Sequence, residues 1–312
     1  MSLWKKKSEQ SAAPAKRKEG PVPWDIHHGT FAQRDAFMAE RKQRAAERDS
    51  ERLHAQAHPT TVRIARDDGY ATVAPGTLTG ADEVVAAANA VIDGIGHDAI
   101  LERKVKGGYM ATGLLTNADL TLDSPYMRFA LSDEVLRAVS DYLGLVPLLM
   151  KIDIWYSFAG RRDEPRASQL WHLDHDDTTQ MKLFVNVNDV TPEMGPLTVA
   201  DAATSERFPF PDGFDFGKGN RVPDDEVRSV IRDDQLVSFS GPRGTVAFVD
   251  TSRCLHFGSR VEEGADPRRM VMVQFLTPYS FEFGDDPYAS APFRGLSEQA
   301  SGTLQRLALG HA

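Results

Sequence analysis

From Leu148 onward the chain is cut into short runs rich in Val, Ile, Phe and Tyr, with Gly and Pro at the joints. The runs cover 150–158, 170–174, 181–190, 196–200, 236–240, 245–250 and 269–276. Branched and aromatic residues in short runs of this kind suit a pleated, half-buried surface. The helical patterns come earlier. Residues 81–95 place Val84, Val85, Ala88, Val91, Ile92 and Ile95 at helical spacing, and 132–143 begins with Ser132 as N-cap before two acids and stops at Gly144. Helices that precede the strands, instead of alternating with them, exclude a parallel α/β sheet and predict a sandwich or barrel of antiparallel strands with helices on one side. Residues 69–73 predict one further short strand.

The first stretch, to about residue 60, is different. It carries KKK at 5–7 and KRK at 16–18, and residues 31–54 favour helix but have a thin apolar face. Residues 1–57 hold 12 Lys and Arg against 8 Asp and Glu, a balance of +4 that leaves −13 on the rest of a chain whose formal charge is −9. This predicts a basic extension, helical or disordered, outside the core and available to a protein partner. The acidic body argues against nucleic-acid binding, which draws its affinity from phosphate neutralisation. No apolar run is long enough to span a bilayer and the start lacks the apolar stretch of a signal peptide, so a soluble, cytoplasmic protein is expected. The single cysteine, Cys254, excludes an internal disulfide and reads as a small core residue. Phe208, Phe210, Phe214 and Phe216, set among Pro, Gly and Asp in 205–234, suit either a lid or an aromatic anchor for a surface loop.

The segment that points to chemistry is 168–177, Ser-Gln-Leu-Trp-His-Leu-Asp-His-Asp-Asp. In a strand, alternate residues share a face, so His172 and Asp174 can direct an imidazole nitrogen and a carboxylate oxygen to one point. The best third ligand is His256, 82 residues after Asp174. Two His and one carboxylate on one face of an octahedron suit Fe(II), because three positions stay open. His175 and Asp177 repeat the spacing on the opposite parity and are the competing pair. Arg268, opening the run that follows His256, can aim its fork at a carboxylate inside a barrel. Strand parity lets only one of Arg268 and Arg269 point inward, and Arg260 is a third alternative. Trp155, Gln169, Tyr156 and Lys182 flank the site, with Tyr156 and Lys182 as candidate hydrogen-bond donors to a co-substrate. Trp171 is read as packing behind His172, and Asp250 as bonding the turn that leads to His256.

SQLWHLDHDD, MKLFVNVNDVTPEMGPLTVA, GTVAFVDTSRCLHFGSR and PRRMVMVQF together resemble the phytanoyl-CoA dioxygenase family of 2-oxoglutarate oxygenases over about residues 65–280. The resemblance implies a double-stranded β-helix, a cupin-like jelly roll with its core at about 149–278 inside a catalytic domain of 61–312. It implies His172, Asp174 and His256 as metal ligands and Arg268 as the anchor for the far carboxylate of 2-oxoglutarate. The activity implied is Fe(II)-, 2-oxoglutarate- and O2-dependent hydroxylation of a C–H bond in a small organic substrate, with release of succinate and CO2. The alternative is a cupin-like metal-binding protein without oxygenase activity. One departure is the run Asp201-Ala202-Ala203-Thr204-Ser205, where relatives commonly carry Gly-Ser-His or Gly-Thr-His. Asp174 itself favours hydroxylation over halogenation, which replaces the carboxylate by a small residue.

Overall fold

The computed structural model describes residues 20–45, 49, 52, 60–103, 108–160, 164–211, 213–217 and 220–311. Among the described residues, nine strands form two antiparallel sheets. The larger runs β1 (Tyr70–Val73), β7 (Val246–Val249), β4 (Gln180–Asn186), β9 (Arg268–Leu276), β3 (Leu148–Ser157) and β2 (Met110–Ala111) in spatial order. The smaller runs β6 (Leu236–Ser238), β5 (Thr198–Ala200) and β8 (His256–Phe257). The expected strand at 170–174 is reduced to two bridges, Trp171 to Val222 and His172 to His256, the second placing it beside β8 at the edge of the smaller sheet. From β3 to β9 the chain passes repeatedly between two facing sheets, with only β5 and β6 following one another in the same sheet, which is a jelly roll.

Period-two patterning sorts the faces of the larger sheet. Met181, Leu183 and Val185 of β4, with Val271, Val273 and Phe275 of β9, join the main apolar cluster together with Val84, Val85, Ala88 and Ile92 of the helix Ala81–Ile95. That helix ends at Gly96, and the helix Asp133–Leu143 is capped by Ser132 and closed by Gly144 in the left-handed region, as the sequence predicts. The alternate residues of the same strands, Phe184, Met270 and Met272, form a second cluster between the sheets with Val199, Val249 and Cys254. Cys254 is fully buried there, a core residue. At Gly195 the backbone lies against that of Arg260 so closely that a Cβ would collide, and its φ of 62° is one that glycine adopts freely.

The N-terminal helix departs from expectation. Phe31–Ala45 was expected outside the core because its apolar face is thin, yet Met38 and Ala45 pack with Val22, Leu145, Tyr279 and Phe281. Between these contacts it buries a cation, Arg34, whose guanidinium lies 4.3 Å from the Phe216 ring centre and 4.0 Å from that of Phe281. Phe31 stacks on Phe214 with centroids 5.3 Å apart, so the aromatic run of 208–216 anchors this helix to the body. The basic runs at 5–7 and 16–18 lie outside the described residues, and among the described residues no helix is long and apolar enough to cross a membrane.

Asp250 ends β7 fully buried. It accepts from the hydroxyls of Tyr142 at 2.9 Å and Thr179 at 2.7 Å, and from the backbone N–H of Gln180, Ser252 and Arg253. These bonds tie the start of β4 to the turn preceding His256. Asp250→Ala strands these donors and is expected to cost at least about 3 kcal/mol, because each buried polar group left without a partner costs about 1–3 kcal/mol. Ser132→Ala, which removes only a helix cap, should cost about 1 kcal/mol. Urea unfolding with an unchanged slope and a lowered midpoint is the measurement, and equal costs for the two variants would contradict the assignment.

Candidate metal centre

His172 and His256 face each other across a backbone exchange. The His172 N–H donates to the His256 carbonyl at 2.9 Å, and the His256 N–H returns to the His172 carbonyl at 3.0 Å. A pair that exchanges both bonds projects its side chains to the same side of the sheet. The two rings accordingly lie with centroids 4.2 Å apart. The Asp174 N–H donates to the Thr251 carbonyl at 2.8 Å, so all three side chains are fixed by one seam between 172–174 and 251–256. One donor atom from each lies within 4.8 Å of the others. The Nε2 atoms of His172 and His256 stand 3.7 and 3.9 Å from the Asp174 carboxylate.

Each imidazole is oriented by its own backbone. His172 Nδ1 bonds the Leu170 carbonyl at 2.9 Å and His256 Nδ1 bonds the Cys254 carbonyl at 2.9 Å. With the proton on Nδ1, Nε2 keeps a free lone pair towards the centre. Burial, joined for His172 by the neighbouring His256, holds both histidines below their ordinary values, which keeps them neutral. Burial alone would raise the Asp174 carboxyl, but the Lys182 ammonium beside it holds it well below the usual range. Lys182 Nζ is 2.6 Å from Asp174 Oδ2. Two neutral imidazoles and one carboxylate match the donor set that suits Fe(II) with open positions.

The cluster opens on a cavity of about 260 Å3 between the sheets, with Trp155, Lys182, Ser259, Arg268 and Gln274 in its wall. Arg268 pairs in register with Ser157 and faces inward, whereas Arg269 pairs with Tyr156 and faces the helices, with its Nη1 3.4 Å from Asn89 Oδ1. Arg260 is taken up by a two-pronged pair with Asp224, both contacts 2.7 Å, and stacks on Phe257. Arg268 is 3% exposed. Its Nη2 donates to Ser259 Oγ at 2.9 Å, while its Nε and Nη1 are buried without a hydrogen-bond partner among the described residues. No carboxylate offsets its burial, which pulls the guanidinium down to about 9.

One expectation needs correction, and the competing pair falls away. Tyr156 does not reach the cavity: it lies on the helix-facing side of β3, with its hydroxyl 2.6 Å from His97 Nδ1. The pair His175 and Asp177 does not converge either. Asp177 accepts from Thr277 and from the Thr178 N–H, and His175 stands with His27 and His28. Lys182 is in the wall as expected, but it spends its charge on Asp174 and lies 3.8 Å from Asp176. Ser259 and Arg221, both in the cavity wall, were not singled out from the sequence. Ser259 sits at φ 62°, a left-handed conformation uncommon for serine, and a single sequence carries no mark of it.

No protein-family model matches this chain, and no curated protein does. Among solved structures it is similar to EctD from S. alaskensis with bound Fe, at 19% identity and a TM-score of 0.49 over 71% of this chain and 80% of that one. It is also similar to SnoN, described as an epimerase in complex with Fe3+, alpha ketoglutarate and nogalamycin RO, at 18% identity and 0.45 over 76% and 85%. AviO1 from Streptomyces viridochromogenes Tue57 gives 17% and 0.43 over 74% and 96%. At such identities the chemistry must be argued from this chain's own side chains.

Asp174→Ala should lower Mn(II) affinity, read by electron paramagnetic resonance, by more than the roughly 10–100-fold typical of losing an outer partner of a metal ligand. Asp177→Asn should leave the tight Mn(II) site in place. The reverse pattern would move the centre to His175 and Asp177.

Proposed function

We propose that this chain is a non-haem Fe(II)- and 2-oxoglutarate-dependent dioxygenase of the phytanoyl-CoA dioxygenase type, hydroxylating a C–H bond of a small organic substrate. The observation that carries the proposal is Arg268. A buried, unpaired guanidinium is costly unless an anion meets it, and this one shares a small cavity with two histidines and a carboxylate. A five-carbon dicarboxylate that chelates a metal at one end and pairs with Arg268 at the other satisfies both features.

In this reading His172, Asp174 and His256 hold Fe(II) on one face. Bound Fe(II) with 2-oxoglutarate and O2 supplies oxidative decarboxylation to succinate and CO2 coupled to transfer of one oxygen atom to the substrate. The protein's part is geometric. Lys182 holds the Asp174 carboxylate in place and keeps it ionised. Arg268, itself held by Ser259, offers its remaining donors to the far carboxylate of the co-substrate. Phe184, Leu197, Met270 and Met272 make the inner wall apolar and limit water there. Arg221 adds positive charge to the same wall, whereas Lys151 is paired with Asp153 at 3.4 Å; the charge of Arg221 favours a substrate bearing an anionic group.

A cupin-like metal-binding protein without oxygenase activity would have no use for an unpaired Arg268. Two measurements separate the readings. Anaerobic Fe(II) plus 2-oxoglutarate should give a visible charge-transfer band, and O2-dependent succinate release should follow with an accepted substrate. Absence of the band, and of succinate with every metabolite pool tried, would defeat the oxygenase. Arg268→Ala should raise the 2-oxoglutarate requirement at least about 30-fold, the equivalent of losing one partner of a buried charge pair at roughly 2 kcal/mol, with the Fe(II) requirement little changed. Arg269→Ala should leave both near wild type.

A further inference from the structure

A second group of histidines lies outside the cluster just described. His27 and His28, at the end of the short helix Trp24–His27, meet His175, and one ring nitrogen from each lies within 4.8 Å of the others. The ring centroids are 4.4 Å apart for His27 and His28, 5.2 Å for His27 and His175, and 4.7 Å for His28 and His175. Trp24 stacks on His28 at 3.5 Å and Phe281 on His27 at 5.4 Å, so aromatic faces wall two of the rings.

His27 Nε2 and His28 Nδ1 are buried and have no hydrogen-bond partner among the described residues. Buried polar nitrogens are ordinarily satisfied, and two orphans in one cluster call for a shared partner. The nearest anionic oxygen is Glu282 Oε1, 3.7 Å from His27 Nε2 and too far for a hydrogen bond. Another imidazole cannot serve all three rings at once, whereas one cation can accept all three lone pairs.

The approach of the two segments is built in. Arg34 donates to the carbonyl of His27 through Nη1 and to that of His175 at 2.9 Å through Nη2, clamping the backbone on both sides of the cluster. Its charge opposes a nearby cation, and the carboxylates of Glu282 and Asp176, the latter 3.7 Å from His175 Nδ1, offset it.

We propose that His27, His28 and His175, with Glu282 beside them, bind a divalent ion of the zinc class and fasten the N-terminal segment to the loop that carries Asp174. Three imidazoles suit a tetrahedral ion whose fourth position is filled by water, with the Glu282 carboxylate beside His27 to offset the charge. Ligand nitrogens around such an ion lie about 3.3 Å apart, so nitrogens that now stand within 4.8 Å of one another need to close by at most about 1.5 Å, within the reach of side-chain rotations. The ion is structural and separate from the one at His172, Asp174 and His256.

The test uses the full chain, stripped of metal and titrated with Zn(II) by calorimetry and with Co(II) by absorption. Wild type is expected to take up two Zn(II). The variant His172→Ala/His256→Ala should keep one, and its Co(II) form should show the intense visible bands of a tetrahedral site. Adding His27→Ala and His28→Ala to that variant should weaken the remaining equivalent at least 100-fold and remove those bands. The proposal is overturned if the doubly substituted variant binds no Zn(II), or if its remaining ion survives loss of His27 and His28. Should the quadruple variant not fold, His28→Gln in the doubly substituted background keeps the ring's bulk and must weaken binding at least tenfold; unchanged affinity overturns the proposal as well. None of these readouts depends on oxygenase activity, so failure here leaves the reading of the first centre standing, and the converse holds.

Discussion

The reciprocal pair of backbone bonds between His172 and His256 is the constraint on which the site depends. Neither segment has much regular structure: 170–174 makes two bridges and β8 is two residues long. Short edge segments fray unless their ends are held. Here they are held by carboxylates. Asp250 fixes the turn before His256 and the start of β4, while Asp177 accepts from the Thr277 N–H and hydroxyl and so pins the loop after Asp174 to the end of β9. Two buried acids thus replace the ladder bonds that longer strands would have provided.

Between the sheets, charge is layered rather than scattered. Asp174 and Asp176 lie near Lys182 at one level, with Gln274 bonding Asp176 at 2.8 Å. Arg268 stands alone at another, on the same face of β9 as Gln274 with Met270 and Met272 between them. The two levels differ in what they lack. The first sets two carboxylates against one ammonium and so keeps negative charge for a cation, whereas the second carries a positive charge that no carboxylate among the described residues offsets. A cavity this small, bounded by both, restricts the orientation of any ligand that uses them together.

Much of this was legible in the sequence, for reasons that can be stated locally. Ser132 and Gly144 bound their helix because capping is a property of a few adjacent residues. His172 and Asp174 share a face because strand parity is fixed within three residues. Register is a different matter. Tyr156 and Trp155 are equally plausible from composition, and only the pairing of Tyr156 with Arg269, after the irregularity at Leu149 and Lys151, shows that Tyr156 faces the helices. The same pairing decides between Arg268 and Arg269, so the misplacement of Tyr156 and that open choice have a single cause. The docking of Phe31–Ala45 was hidden by its chemistry. Its central anchor is an arginine between two phenylalanine rings, and patterning that counts apolar residues does not see a buried cation.

The loop 174–177 shows how four consecutive polar residues avoid interfering with one another. Asp174 turns to the two histidines and Lys182, and Asp176 to Gln274. His175 turns the other way, to His27 and His28, and Asp177 to Thr277. Alternation puts Asp174 and Asp176 on one side, where the Lys182 ammonium between them offsets their repulsion, and sends His175 and Asp177 to the other. The cost is that the loop has almost no apolar content of its own, and its position is set wholly from outside. Arg34 supplies that support, bonding the carbonyls of His175 and Asp177 at 2.9 and 3.2 Å. The N-terminal helix therefore helps to place Asp174 without touching it, which links the segment that looked most dispensable in the sequence to the geometry of the metal centre.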